Sequence, residues 1–420
     1  MNDEGSVSGK PTNSGTIAQN FISPWVHLRS AGDHPFLFER MISRADPQAR
    51  AGNIVHVYDK SGRAFGSALY NPRSQITLRM LCFDETPIDE AFWQARLGAA
   101  VALRRMLNLD ATTDAYRLVH AEGDGLSGLI VERYADVLVF EIFALGMFQR
   151  AVELGKILGS LLGPPNSLDR PQKTFDVWRT LIRADEHVES LEGFRVPPPR
   201  ENSATSVVVR EHGVRYRVDP TRGHKTGFFC DQRDNRRRLA GFCRDMSVLD
   251  LCCYSGGFGL CAKILGQARE VTSVDLDEEA VALARENANL NQARIDTVHA
   301  DVFIYLRQMM TNNRQFDVVV LDPPKLARSR QEYDEAIRKY IDMNELAIRV
   351  VRPGGMLLTC SCSGLVSTTD FVYALQLAAR RCNRSLQMLE LTGAGPDHPI
   401  MVNCPESGYL KAAWCRVLKK

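Results

Sequence analysis

Val248-Leu249-Asp250-Leu251-Cys252-Cys253-Tyr254-Ser255-Gly256-Gly257-Phe258-Gly259 reads as a buried-type strand that runs into a glycine turn and then a helix. Glycines at such a turn let backbone come close to a ligand. Outward from it, strand candidates recur at 247–251, 270–275, 295–299, 317–321 and 355–360, with helical periodicity between them. That alternation predicts an α/β doubly wound, mainly parallel sheet of the Rossmann-like class over about the last two hundred residues. In such a sheet the glycine turn sits at the carboxyl end of the first strand, where ligands bind.

A dinucleotide fold would place G-x-G-x-x-G at this turn and set a pyrophosphate on the helix N-terminus. Here the spacing is G-G-x-G, and an acid, Asp250, stands inside the strand end. An acid repels pyrophosphate and suits the ammonium of S-adenosyl-L-methionine. Asp275 ends the second strand, where a carboxylate can accept both ribose hydroxyls, with Leu276 beside it. Asp301, after the third strand and followed by Val302, is placed to accept from the adenine amino group. Tyr254 and Gly256 in the turn complete the candidate cofactor pocket. Alone, Asp250 would read as closing a turn and Asp277 as capping a helix; three acids that each follow a strand carry the cofactor reading.

After the fourth strand comes Asp322-Pro323-Pro324-Lys325. The prolines hold the backbone extended and without N–H donors, which fixes the neighbouring polar groups toward a flat substrate. Enzymes that methylate exocyclic amines place an aromatic residue after the two prolines; Lys325 stands there instead. The fifth strand ends in Thr359-Cys360-Ser361-Cys362-Ser363-Gly364, bringing thiols beside the Asp322 motif. Cys360 and Cys362 share one side of a strand, with Cys362 nearer the open end. The C5 atom of a pyrimidine is a poor nucleophile, and a thiolate added at C6 turns it into an enamine that can take a methyl group. Cys362 is the expected nucleophile, and Asp322 the group that meets the N3/N4 edge of cytosine, next to the cofactor. The base for the C5 proton stays open among Asp322, His398 and water.

The 420 residues allow two or three domains. Short β-type runs between about residues 25 and 82 predict a small barrel over 24–87, followed by a central α/β domain over 88–200 that ends in the Pro-rich segment 196–200. A hairpin at 206–210 and 214–218 opens the last domain, 201–420. Residues 1–20 lack the basic start and apolar run of a leader, and residues 1–23 read as a disordered tail. No stretch approaches eighteen uncharged apolar residues, and the eleven cysteines contain no CxxC pair of zinc type. A cytoplasmic protein with free thiols, no membrane partner and no metal is expected. The net charge of +2 leaves any polyanion surface to local patches.

With these residues in hand, the chain resembles the bacterial large-subunit ribosomal RNA cytosine-C5 methyltransferases that carry an N-terminal PUA domain. The likeness runs from about residue 24 onward. It is carried by His34-Pro35, Glu122-Gly123-Asp124-Gly125-Leu126, Gly223 to Phe229 with Asp231-Gln232-Arg233, the Asp322 and Cys362 motifs, and Asp397-His398-Pro399. The resemblance implies a PUA-like barrel, a central α/β domain and a class I methyltransferase domain with a seven-stranded sheet. It also implies that Phe229 to Arg233 line the cofactor pocket, with Gln232 toward the methionine part. Pro323, Pro324, Lys325 and His398 would meet the substrate. In a neighbouring family a second cysteine follows the proline where Lys325 stands, and Thr359-Cys360-Ser361 could pass for that family's nucleophile motif.

A target base must be unpaired or flipped out to meet the methyl donor. Candidate phosphate contacts are Arg222, His224, Lys225, Arg236, Arg237, Arg238, Arg73 and Arg79. The implied partner is large-subunit ribosomal RNA, and a homodimer is compatible with the sequence. The rival readings are a methyltransferase of a guanine or adenine nitrogen, a catalytically inactive RNA-binding assembly factor, and, last, an NAD-dependent oxidoreductase.

Overall fold

The computed structural model describes residues 21–165, 177–198, 206–221 and 227–420. The C-terminal sheet is built from β1 (Ser247–Leu251), β2 (Glu270–Asp275), β3 (Asp296–His299), β4 (Phe316–Leu321), β5 (Val351–Ser361), β6 (Arg384–Thr392) and β7 (Lys411–Lys419). Their order is β3-β2-β1-β4-β5-β7-β6. The first five run parallel, and β7 pairs antiparallel with both β5 and β6. Val248, Leu249, Leu251, Val318, Val319 and Val320 are buried on both faces, as the helical covers of a parallel sheet require. The covers are α1 (Gly257–Ile264), α2 (Glu278–Leu290), α3 (Val302–Thr311), α4 (Tyr333–Val350) and α5 (Thr368–Arg381). Asp277, Asp301 and Ser367 accept backbone N–H groups at the starts of α2, α3 and α5.

Strand order reverses between β2 and β4 around β1, so the loops after β1 and β4 open a crevice at the carboxyl edge. β5 is longer than the expected 355–360. Pro353, Gly354 and Gly355 look like a turn, yet they form a bulge: Phe316 faces Val351 and Val318 already faces Met356.

Upstream, six strands between Trp25 and Cys82 form one sheet around Val26, Leu28, Leu37, Val55, Val57 and Leu78. Residues 1–20 of the expected tail lie outside the described residues. Phe21 stacks on Tyr58 at 4.1 Å and Ile22 N donates to Tyr58 Oη, so residues 21 and 22 belong with this sheet. A second core lies between helix Glu90–Met106, helix Ala151–Leu162 and a four-stranded sheet of Ala115–His120, Leu129–Tyr134, Val137–Ile142 and Arg179–Arg183. The hairpin Val207–Glu211/Val214–Val218 fills the seam between that sheet and α1, burying Val209, Val214, Tyr216 and Val218. Asn287 of α2 and Asn291 just after it accept from the hairpin backbone, at Arg217 N (2.7 Å) and Arg215 N (2.9 Å). Among the described residues no helix is long and apolar enough to cross a membrane, and no disulfide is present.

Candidate active site

Asp250 points beneath the glycine turn. Its Oδ2 accepts from Gly259 N at 2.9 Å, fixing the start of α1, while Oδ1 has no partner. Burial pushes its carboxyl up to about 7; the Gly259 N–H opposes this, and the Asp322 and Asp275 carboxylates add to it. Asp250 has no exposed surface. Asp250, expected to suit the ammonium of the cofactor, thus lies buried beneath the turn and braces it through Gly259.

Asp275, at the end of β2, is oriented by two backbone donors, Tyr254 N at 2.8 Å and Asp277 N at 3.0 Å. Tyr254 is held with φ 47°, its hydroxyl donates to Gly227 O at 3.1 Å, and its ring meets Phe229 edge-on at 5.0 Å. Gly256 has φ 77°, and a Cβ there would press on Ala284 Cβ at 3.1 Å. Leu276, 63 % exposed, offers an apolar ledge beside Asp275. Asp301 caps α3 through Ile304 N at 3.0 Å and stays half-buried, whereas Val302 turns into the core. A fixed carboxylate, an apolar ledge and a glycine turn whose walls leave no room for a side chain suit the ribose and base of S-adenosyl-L-methionine. Asp275, Leu276 and the turn around Gly256 would hold it.

The expected reaction edge lies one strand over. Asp322 N donates to Leu251 O at 3.3 Å, tying the β4 loop to the end of β1. Gln232 Nε2 donates to Asp322 Oδ2 at 3.1 Å, so Gln232, expected toward the methionine part, here engages the carboxylate expected at the reaction edge. Pro323 is buried, and Pro324 and Lys325 are exposed. β5 ends at Ser361, so Cys360 and Cys362 do not share a strand face as expected. Cys360 is fully buried, and burial pushes its thiol well up; Gln232 is its hydrogen-bonding neighbour. Cys362 is partly exposed in the following loop, with Sγ 3.8 Å from Pro323 O, its acceptor.

Groups that local sequence did not single out brace this loop. Lys411 Nζ donates to Ser363 O (2.9 Å) and Val366 O (2.8 Å). Burial lowers the affinity of Lys411 for its proton, and the neighbouring Cys362 sulfur raises it. Ser363 Oγ accepts from Leu326 N and Ala327 N at 3.1 and 3.2 Å and meets Tyr340 Oη at 3.1 Å, joining the two reaction loops.

His398 lies elsewhere, in a buried polar junction between the central and C-terminal sheets. Asp397 binds Arg233 through two 2.9 Å bonds, accepts from Arg117 N at 2.9 Å, and receives Arg104 on its carbonyl at 2.7 Å. Burial drives its carboxyl up, and His398 and Arg233 more than reverse this, leaving it far below the usual range. His398 Nδ1 is 3.2 Å from Asp397 Oδ1, within ion-pair range but not aligned as a hydrogen bond, and its ring lies 5.1 Å from His120. Arg104 also grips Asp124, Arg117 grips Glu132, and Tyr409 Oη donates to Asp231 at 2.6 Å. Gly123 is required here, since a Cβ would stand 2.1 Å from Pro399 O. Three motif segments, around residues 122–126, 229–233 and 397–399, thus meet at one place. A substrate contact by His398, 4 % exposed, is not what the structure displays.

Arg236 is buried and bidentate to Glu211 at 2.8 and 2.7 Å, and Arg79 is buried beside Glu122; neither is free to meet phosphate. Arg238 pairs with Glu390, Arg237 and Arg73 are exposed, and Arg222, His224 and Lys225 lie outside the described residues. His34, Cys404 and Glu406 come close enough to suggest a metal. His34 Nδ1 accepts from Phe36 N at 2.9 Å, however, which puts the ring proton on Nε2, facing Glu406 at 3.2 Å. A metal-binding imidazole has the opposite arrangement, donating with its second nitrogen.

Residues 169–414 match the model of an S-adenosylmethionine-dependent methyltransferase family, and residues 29–83 match a PUA-like domain. Ribosomal RNA large subunit methyltransferase I of Vibrio cholerae is 37 % identical over 409 residues, 94 % of this chain and 100 % of the relative. The protein of that name from Aliivibrio fischeri is 36 % identical over 389 residues, 92 % of this chain and 96 % of the relative. The solved structure of SMU.776, complexed with SAH, superposes with a TM-score of 0.76 at 19 % identity, covering 91 % of this chain and 96 % of that one, a likeness of fold. With this coverage and this fold, the chain belongs to the S-adenosylmethionine-dependent methyltransferase family that includes ribosomal RNA large subunit methyltransferase I.

Proposed function

We propose that this protein methylates C5 of a cytosine in large-subunit ribosomal RNA through a covalent adduct between Cys362 and C6 of the base. The observation that carries the reading is the division of labour between two thiols: Cys360 is sealed in β5, and Cys362 is partly exposed beside the Asp322 loop. The names of its relatives supply the RNA class. Bound S-adenosyl-L-methionine supplies an electrophilic methyl group. Lys411 favours the thiolate of Cys362 electrostatically. The sulfur bonds to C6 of an extruded cytosine, and the thiol proton passes by way of Asp322 to N3, where charge collects. C5 then gains the methyl group; loss of the C5 and N3 protons and departure of the sulfur restore the aromatic base. Pro324 and Lys325 border the base, and exposed Arg73 and Arg237 are candidate phosphate contacts.

Nucleoside mass spectrometry of ribosomal RNA from cells with and without the protein tests this directly. Loss of one 5-methylcytidine supports it, and loss of an N-methylated purine defeats it. Cys362→Ala is expected to keep cofactor affinity and lose turnover by three orders of magnitude or more, on the order expected for removing a covalent nucleophile. Unimpaired transfer by that variant removes the covalent route. The reading places the protein in the cytoplasm, and light scattering separates a monomer from the homodimer compatible with the sequence.

A further inference from the structure

Asp322 receives a hydrogen bond whose direction is set more than three residues away. Trp414 Nε1, which can only donate, gives its proton to Thr392 Oγ1 at 2.9 Å. The Thr392 hydroxyl donates to Asn235 Oδ1 at 2.7 Å, in preference to Ala412 O at 3.4 Å. That leaves the Asn235 amide nitrogen to donate onward, to Gln232 Oε1 at 2.7 Å and to Gly393 O at 3.1 Å. Gln232 then has only its amide nitrogen to present to Asp322 Oδ2, at 3.1 Å.

The polarity cannot be reversed without cost. Turning Asn235 over would set its oxygen against the Gly393 carbonyl and against Gln232 Oε1, and turning Gln232 over would set an oxygen against a carboxylate. Trp414, Asn235 and Gln232 are all buried, so water cannot absorb such a mismatch. Trp414 lies in β7 and Thr392 ends β6, so the antiparallel end of the sheet, which contributes no reacting group, fixes the donor at the reaction edge.

We infer that Trp414, Thr392, Asn235 and Gln232 form a one-way hydrogen-bond relay that positions Asp322 by committing its Oδ2 to Gln232. These are positioning residues, and the inference rests on the role proposed for Asp322. The relay also stabilises the ionised carboxylate, the form that collects the thiol proton, so its loss makes Asp322 harder to ionise.

The test compares Asn235→Asp, which cannot donate to Gln232, with Asn235→Leu, which removes the amide without reversing the polarity, and with Thr392→Ser, which keeps the hydroxyl. All are assayed as the full chain with S-adenosyl-L-methionine and ribosomal RNA lacking the modification. Asn235→Asp is expected to lower kcat/KM at pH 7 about tenfold and to move the acidic limb of kcat/KM up by about one pH unit, with cofactor affinity unchanged. Asn235→Leu moves that limb less, and Thr392→Ser restores the parent profile. Equal profiles for Asn235→Asp and Asn235→Leu, or an unmoved acidic limb in a folded Asn235→Asp protein, overturn the relay. Asp322→Asn separates the two ideas: if it retains turnover, the role given to Asp322 fails, whereas a dead Asp322→Asn beside an unshifted Asn235→Asp condemns the relay alone. Circular dichroism verifies folding, and should Asn235→Asp fail to fold, Gln232→Glu carries the same comparison.

Discussion

The polar junction, between the central and C-terminal sheets, and the edge at Asp322 and Cys362 use charged and polar side chains to opposite ends. At the junction, Asp397, Arg233, Arg104 and Arg117 are almost completely buried, and each charge is met by two or more partners. Removing a charge from such a set strands its partners in a medium that cannot solvate them. At the reaction edge, Asp322 and Cys362 are only partly covered, and the supporting hydrogen bonds are gathered behind them on Gln232, Ser363 and Lys411. The protein secures its domains with buried charges and keeps its proposed reacting groups partly exposed.

The largest effect that would break this contrast is at the junction. Asp397→Ala is expected to destabilise the fold by about 3–5 kcal/mol in urea unfolding, because Arg233 is left buried without its carboxylate. Cys362→Ala should change stability by less than about 1 kcal/mol. If the two variants unfold alike, the contrast is wrong. Asp250, buried like the junction but only half satisfied, sharpens it next. Its folded-state carboxyl titrates near 7 against an ordinary 3.8, so the native protein loses stability as pH rises from about 4 through about 7. Asp250→Asn escapes that loss. Without cofactor it should match the parent near pH 4 and exceed it above pH 7 by at most roughly 4 kcal/mol, read from denaturation midpoints across pH. The smallest effect concerns the edge. Lys411→Met should raise by about one unit the pH at which iodoacetamide alkylates Cys362, followed on the Cys362 peptide by mass spectrometry. An unshifted alkylation profile would leave Lys411 a purely structural brace.

Much of the sheet was legible because parallel strands announce themselves as continuous apolar runs. The expected 247–251 and 270–275 coincide with β1 and β2. β6 was not, since Arg384–Thr392 is an edge strand with most side chains partly or fully exposed and no clean alternation. Cys362 and Asp322 could be read from local motifs. The bond from Gln232 to Asp322 was not legible, because nothing in its spacing reveals a carboxylate 90 residues away. Lys411, Tyr409 and Arg117 had no local signal, since their partners come from distant parts of the chain. Arg236, Arg237 and Arg238 read as one charged run, yet helical geometry sends Arg236 inward to Glu211 while its two neighbours stay exposed.

The contact between Gly123 and Pro399 has a consequence for biosynthesis. Arg104, Arg117 and Arg233 leave the ribosome well before Asp397, so a nascent chain still short of that residue holds three cations with no common anion to gather them. Seating of the 397–399 segment over the bare backbone of Gly123 supplies that anion, so the junction between the central and methyltransferase sheets closes only after residue 397 has been made.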